Sequence, residues 1–158
     1  MNKYHVDIIE GKNEYYNTVE KYSWIYTLWK WADENNICEE VVESGVYPKR
    51  TVYRGIPRNK DILINLRELD LSNCNLSNIP DEIGNLSNLE LLNLTNNNLE
   101  ELPYGIVNLE SLEALYISVN KISYLDEQIG SMSRLRLIDI TDNIIKLIPD
   151  SIQDKIIG

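Results

Sequence analysis

The chain repeats itself every 23 residues, and this period limits its fold more than any other feature. Four apolar columns hold the interval without a slip: Leu66, Leu89, Leu112 and Leu135; Leu69, Leu92, Leu115 and Ile138; Leu71, Leu94, Ile117 and Ile140; Leu76, Leu99, Ile122 and Ile145. Ile79, Leu102, Leu125 and Ile148 follow, then Pro80, Pro103, Asp126 and Pro149, then Ile83, Ile106, Ile129 and Ile152. A unit this short cannot enclose its own core, so successive units must stack and cover one another as a solenoid. The alternation of aliphatic residues, as in Leu69 and Leu71, puts both on one face of a short strand, and strands of successive units then pair in parallel with those residues inside. Cys74, Asn97, Asn120 and Asn143 stand where the chain leaves each strand, where a short amide can bond the backbone of its own and the adjacent coil. The Pro that follows starts a short helical or extended segment on the far side.

The motif LxxLxLxxNxLxxLPxxIxxL resembles the leucine-rich repeat, in the 23-residue class of intracellular Ras-associated and many bacterial proteins. The resemblance covers residues 56 to 152, with Cys74 replacing the first Asn as such repeats tolerate. It implies an α/β fold: a right-handed leucine-rich repeat solenoid with a parallel sheet on its concave face, which is where such proteins usually bind.

The array has an expected beginning and end. One period back from Ile79, Pro80 and Leu86 lie Ile56, Pro57 and Leu63, the convex half of an extra repeat over 56–65; four full repeats start at residue 66. The strand of the extra coil is expected near Val46 to Tyr53 and degenerate, because Glu43 and Pro48 fall on positions that should be apolar. Residues 1–55 then form an N-terminal arm and an aromatic-rich helical cap. Tyr22, Ile25, Leu28, Trp29 and Ala32 recur at helical spacing, with Trp24 and Trp31 widening the apolar face, which predicts a helix over residues 16–36 that shields the first coil. An exposed Trp of that helix is the rival reading, as a partner anchor. Residues 3–9, KYHVDII, are read as a short strand or arm. At the other end, Ile152, Ile156 and Ile157 are expected to fold over the last coil while the strand edge at Leu137 to Thr141 stays open for pairing, with a homodimer as one outcome.

Composition narrows the function. No apolar run is long enough to span a membrane and the first 20 residues do not resemble a signal peptide, so a soluble, cytoplasmic chain is expected. Cys38 and Cys74 are too few and too distant for a disulfide framework and are read as reduced; the glycosylation-type triplets at Asn75, Asn85 and Asn93 are read as by-products of an Asn-rich repeat. The formal net charge is -10, and from Leu66 onward 15 Asp and Glu face 6 Lys and Arg. Such a surface repels phosphate backbones, so no direct nucleic-acid binding is expected. The single histidine, His5, has no companion, and no phosphate loop, CxxC pair or nucleophile elbow is present. No enzyme activity, cofactor or metal is expected.

The outward strand positions supply the expected partner site: Glu68, Leu91, Ala114 and Leu137; Asp70, Asn93, Tyr116 and Asp139; and, past the strand ends, Val119 and Asp142. Leu91, Tyr116, Val119, Leu137 and Ile144 would form an apolar patch bordered by Glu113, Asp139 and Asp142, suited to a basic, partly apolar protein segment. A second candidate is the basic run Lys49, Arg50, Arg54, Arg58 and Lys60, with an anionic partner as its functional reading. The expected function is a non-catalytic protein-protein interaction module using the concave face. The alternative is a viral or pathogen-encoded inhibitor that blocks a host enzyme by acidic nucleic-acid mimicry.

Overall fold

The computed structural model describes residues 21–43 and 51–158, which contain one continuous sheet of seven strands in chain order. The strands are β1 (Glu40–Glu43), β2 (Thr51–Arg54), β3 (Glu68–Asp70), β4 (Leu91–Asn93), β5 (Ala114–Tyr116), β6 (Leu137–Asp139) and β7 (Ile156–Ile157). All pair in parallel except β1, which is antiparallel to β2. The register of β3 to β6 advances by the 23-residue period, Leu69 to Leu92 to Leu115 to Ile138, and these four side chains are fully buried as a single ladder. Four short 3-10 segments form the opposite side: Asp81–Asn85, Tyr104–Asn108, Glu127–Ser131 and Asp150–Lys155. Pro80, Pro103 and Pro149 start three of them, and Asp126 starts the third in sequence by accepting the Gln128 amide at 2.8 Å. Ile83, Ile106, Ile129 and Ile152 turn inward from these segments and are buried. The backbones of successive segments almost touch: a Cβ at Gly105 would lie 1.9 Å from the Asp81 carbonyl oxygen.

The amide column clamps each coil to the one before it. Asn97 accepts from the amides of Cys74 (3.2 Å) and Leu76 (2.9 Å) and donates to the carbonyls of Leu71 and Leu94, both at 2.9 Å. Asn120 repeats the pattern one period later, accepting from Leu99 and donating to Leu94 and Ile117, each at 3.0 Å. Asn143 does the same with Ile122, Ile117 and Ile140. Buried backbone groups that would otherwise be orphaned at each strand exit are thereby satisfied. Cys74 keeps the place without the clamp: its thiol donates to the Ser72 carbonyl at 3.4 Å. Burial and then the charge of Asp70 raise this thiol above its ordinary value, against a smaller lowering by Arg54, so it stays protonated and unreactive.

The cap is helix α1 (Ser23–Glu34), whose buried face of Ile25, Leu28, Trp29, Trp31 and Ala32 joins the same core. Trp29 donates its indole N–H to the Pro57 carbonyl at 2.8 Å, so both large Trp residues of that face are committed to the interior and Trp24 is half-buried against it. The helix covers the first 3-10 segment. Residues 16–20 of the expected helix, the arm at 3–9, and His5 lie outside the described residues.

Two expectations about the ends need correction. The extra coil is shorter than the others: Tyr53 pairs with Leu69, 16 residues on, not Val46 at the full period. Ile56, Pro57 and Leu63 are buried as expected, but a short helix α2 (Lys60–Ile64), N-capped by Asn59, replaces the longer convex path. Gly55 makes the tight exit, at φ 81°, where a Cβ would fall 1.8 Å from the Cys38 carbonyl oxygen. The open C-terminal edge is also corrected: Ile138 pairs with Ile156 and Asp139 with Ile157, so β7 occupies the edge of β6 that was expected to await a second molecule. The pairing covers the outer edge of β6 at Ile138 and Asp139.

Candidate functional site

The parallel register sets the outward residues in rows across the sheet. Leu91, Ala114 and Leu137 are direct neighbours, as are Asn93, Tyr116 and Asp139, and all six are half-buried. Glu68, expected to begin the first row in the open, is 8% exposed and lines a depression with Tyr53, Asp61, Arg67 and Glu90. Its side chain is therefore recessed and not open to solvent as expected.

The second row has a structural duty that its composition did not announce. Asp70 accepts the Ser72 amide at 2.9 Å, Asn93 the Thr95 amide at 3.0 Å and Asp139 the Thr141 amide at 3.1 Å. Each closes the strand exit by a local side-chain turn. Tyr116 replaces this acceptor in the third repeat. Three residues on, Asn73, Asn96, Val119 and Asp142 share a left-handed backbone, with φ of 58°, 56°, 55° and 54°. Asn and Asp tolerate that region and a β-branched residue does not. Val119 nevertheless occupies it, and is 43% exposed; Ile144, on the next coil, is 62% exposed. The Asn/Asp content of that column was the available signal for the turn.

Charge on this face is uneven. At the cap end, Arg54 meets Asp70 at 3.6 Å and Glu40 at 3.4 Å. At the other end, Asp139 and Asp142 have no ion-pair partner among the described residues. Desolvation of Asp139 is outweighed by hydrogen bonds from the Thr141 hydroxyl (2.6 Å), the Thr141 amide and Ser118, which hold its carboxyl below the usual range.

The basic run does not form a free cationic patch over its described part. Arg58 binds Asp33 at 2.7 Å and reaches the carbonyls of Ile37 and Ile56, pinning the cap helix to the first coil. Lys60 lies 4.8 Å from the centre of the Tyr22 ring. With Arg54 already paired, three of the five cations serve the cap; Lys49 and Arg50 lie outside the described residues.

A model of the leucine-rich repeat region matches residues 58–147. The chain belongs to the leucine-rich repeat family. This leucine-rich repeat chain is 32% identical to a leucine-rich repeat protein of Leptospira interrogans over 62% of its own length and 26% of that protein's, with a TM-score of 0.56. It is 28% identical to internalin C2 of Listeria monocytogenes, covering 60% of this chain and 41% of that one, with a TM-score of 0.51. It thus spans less than half the length of either. The curated proteins searched contain no match. The leucine-rich repeat fold generally mediates protein-protein interaction. Among the described residues no helix is long and apolar enough to cross a membrane, and no group of His, Cys, Asp and Glu is placed to hold a metal.

Proposed function

We propose that this chain is a non-catalytic protein-binding module that takes a protein segment along the concave strands β4 to β6, centred on the third repeat. One observation carries the reading: that repeat abandons the local turn chemistry twice, with Tyr116 in place of an Asx acceptor and Val119 in a backbone region that favours Asn. Each departure swaps an inexpensive polar residue for a large apolar one at the surface, which folding alone does not reward. Leu91 and Leu137 extend the apolar centre along the neighbouring row, and unpaired Asp139 and Asp142 border it. The complementary partner is a segment with an apolar residue flanked by Lys or Arg.

The test is differential capture from the native host. Tyr116→Ser combined with Val119→Asn keeps the turn geometry and removes the apolar centre, and the partner captured by the parent chain is expected to fall at least tenfold. Asp139→Asn with Asp142→Asn should lower capture and weaken its salt dependence. A partner that survives the apolar pair but is lost with the acidic pair would favour acidic mimicry instead. Full retention by both variants would remove the concave face from consideration.

A further inference from the structure

A second surface lies off the concave face, on the flank between the Asn turns and the 3-10 segments. Tyr104 is 76% exposed, Tyr124 46% and Leu147 79%. Tyr104 stands immediately after Pro103, where the other repeats carry Asp81, Glu127 and Asp150; Tyr124 and Leu147 occupy the place held by Asn78 and Glu101 in earlier repeats. The repeat pattern therefore keeps these positions polar elsewhere, and the aromatic residues are specific to this stretch. Tyr104 and Tyr124, on consecutive coils, line the same two depressions and form one aromatic wall between them.

The wall divides two depressions. On one side a groove of about 590 Å³ is lined by Pro80, Pro103, Asp81, Glu100, Glu101 and both tyrosines. On the other, Leu102, Val107, Leu125 and Asp126 line a shallower one. Neither is lined by any Lys or Arg. Partial desolvation, then Tyr104 and the charges of Asp126 and Glu101, raise the Tyr124 hydroxyl above the ordinary phenol range.

We infer that this flank is a second docking surface, distinct from the concave site, for a basic protein segment that sets an Arg or Lys beside a proline or aliphatic residue. The cation would lie on a tyrosine ring and bond the carboxylates of Glu100 or Glu101, while its apolar neighbour packs on the Pro80 and Pro103 rings. Charge complementarity selects this occupant. An anionic ligand is repelled by every charged side chain of the two depressions, and a purely apolar one leaves three carboxylates of the larger groove facing it.

The probe is a pool of phage-displayed random 12-residue peptides selected on the immobilised full chain. Selected peptides should be enriched in Arg or Lys next to Pro or an aliphatic residue. As synthetic peptides they should bind at least tenfold more weakly to Glu101→Lys and to Tyr104→Ser, and unchanged to Tyr116→Ser with Val119→Asn. Amide shifts on titration should fall in residues 100–104 and 123–126. The variants change exposed side chains, and an unaltered unfolding midpoint separates lost docking from lost folding. The inference is overturned if no peptide is recovered, if the recovered peptides lack cations, if they bind Glu101→Lys as well as the parent, or if the shifts map to β4–β6. Because the concave variant is measured in parallel, failure here leaves the proposed function standing, and failure there leaves this surface standing.

Discussion

Val119→Asn should stabilise the protein while stripping an apolar group from its surface. Val119 sits at φ 55°, and the three equivalent positions, at φ of 54° to 58°, carry Asn or Asp. The left-handed region costs an ordinary L-residue about 1–2 kcal/mol, and Asn relieves much of that through its local hydrogen bonding. Against this stands the lost burial of the valine side chain. Fully buried it would contribute about 1.5 kcal/mol, but at 43% exposure roughly half of that is realised. The backbone bonds of the position, from its amide to Thr141 at 2.9 Å and from the Asn97 amide to its carbonyl at 3.2 Å, do not depend on the side chain. An amide here can also join the ladder in which Asn96 donates to Asn73 at 2.7 Å. The net gain is about 0.5–1 kcal/mol, equivalent to a rise of about 1–4 °C in midpoint for a chain of this size. Urea unfolding followed by circular dichroism measures it, with Val119→Ile as the β-branched control that should move the midpoint little. A midpoint lower in Val119→Asn than in the parent would refute the strain argument, and with it the reason for reading Val119 as a residue kept for contact.

Other outcomes follow from the scaffold. Asn97→Ala removes four hydrogen bonds of 3.2 Å or less at one buried side chain; at about 1 kcal/mol each it should lower stability by about 3–4 kcal/mol, and amide exchange should quicken first at Cys74 and Leu76. Gly105→Ala places a methyl 1.9 Å from the Asp81 carbonyl oxygen, so the first two convex segments must separate; a loss of about 2 kcal/mol or more in denaturant unfolding is expected. Asp139 has its carboxyl lowered from 3.8 in the folded chain, so its stabilising effect is complete above that value and fades as pH falls through the lower, folded value. Asp139→Asn should therefore cost stability near neutrality, and the gap in unfolding midpoint between the two proteins should close on acidification below about pH 4.

How far the sequence could be read depended on whether the determining contact recurs. Leu69, Leu92, Leu115 and Ile138 announce themselves because every copy meets the same neighbours, and Asn97, Asn120 and Asn143 because every strand exit leaves the same orphaned amides. Tyr116 and Leu137 were legible as outward residues by alternation alone. The flank tyrosines were not, since Tyr104 stands out only once the polar column of Asp81, Glu127 and Asp150 is known to face solvent.

By itself, then, the sequence determined the solenoid, its period and its inward ladder, because each of these rests on an interaction repeated at fixed spacing. Only the tertiary structure decided that the first coil closes in 16 residues, that Glu68 is buried, that Arg54 and Arg58 are paired, and that Ile156 and Ile157 pair as a strand with the edge of β6. Each of those is a single meeting of residues brought together once, at an end of the array, and no periodicity encodes a contact that happens only once.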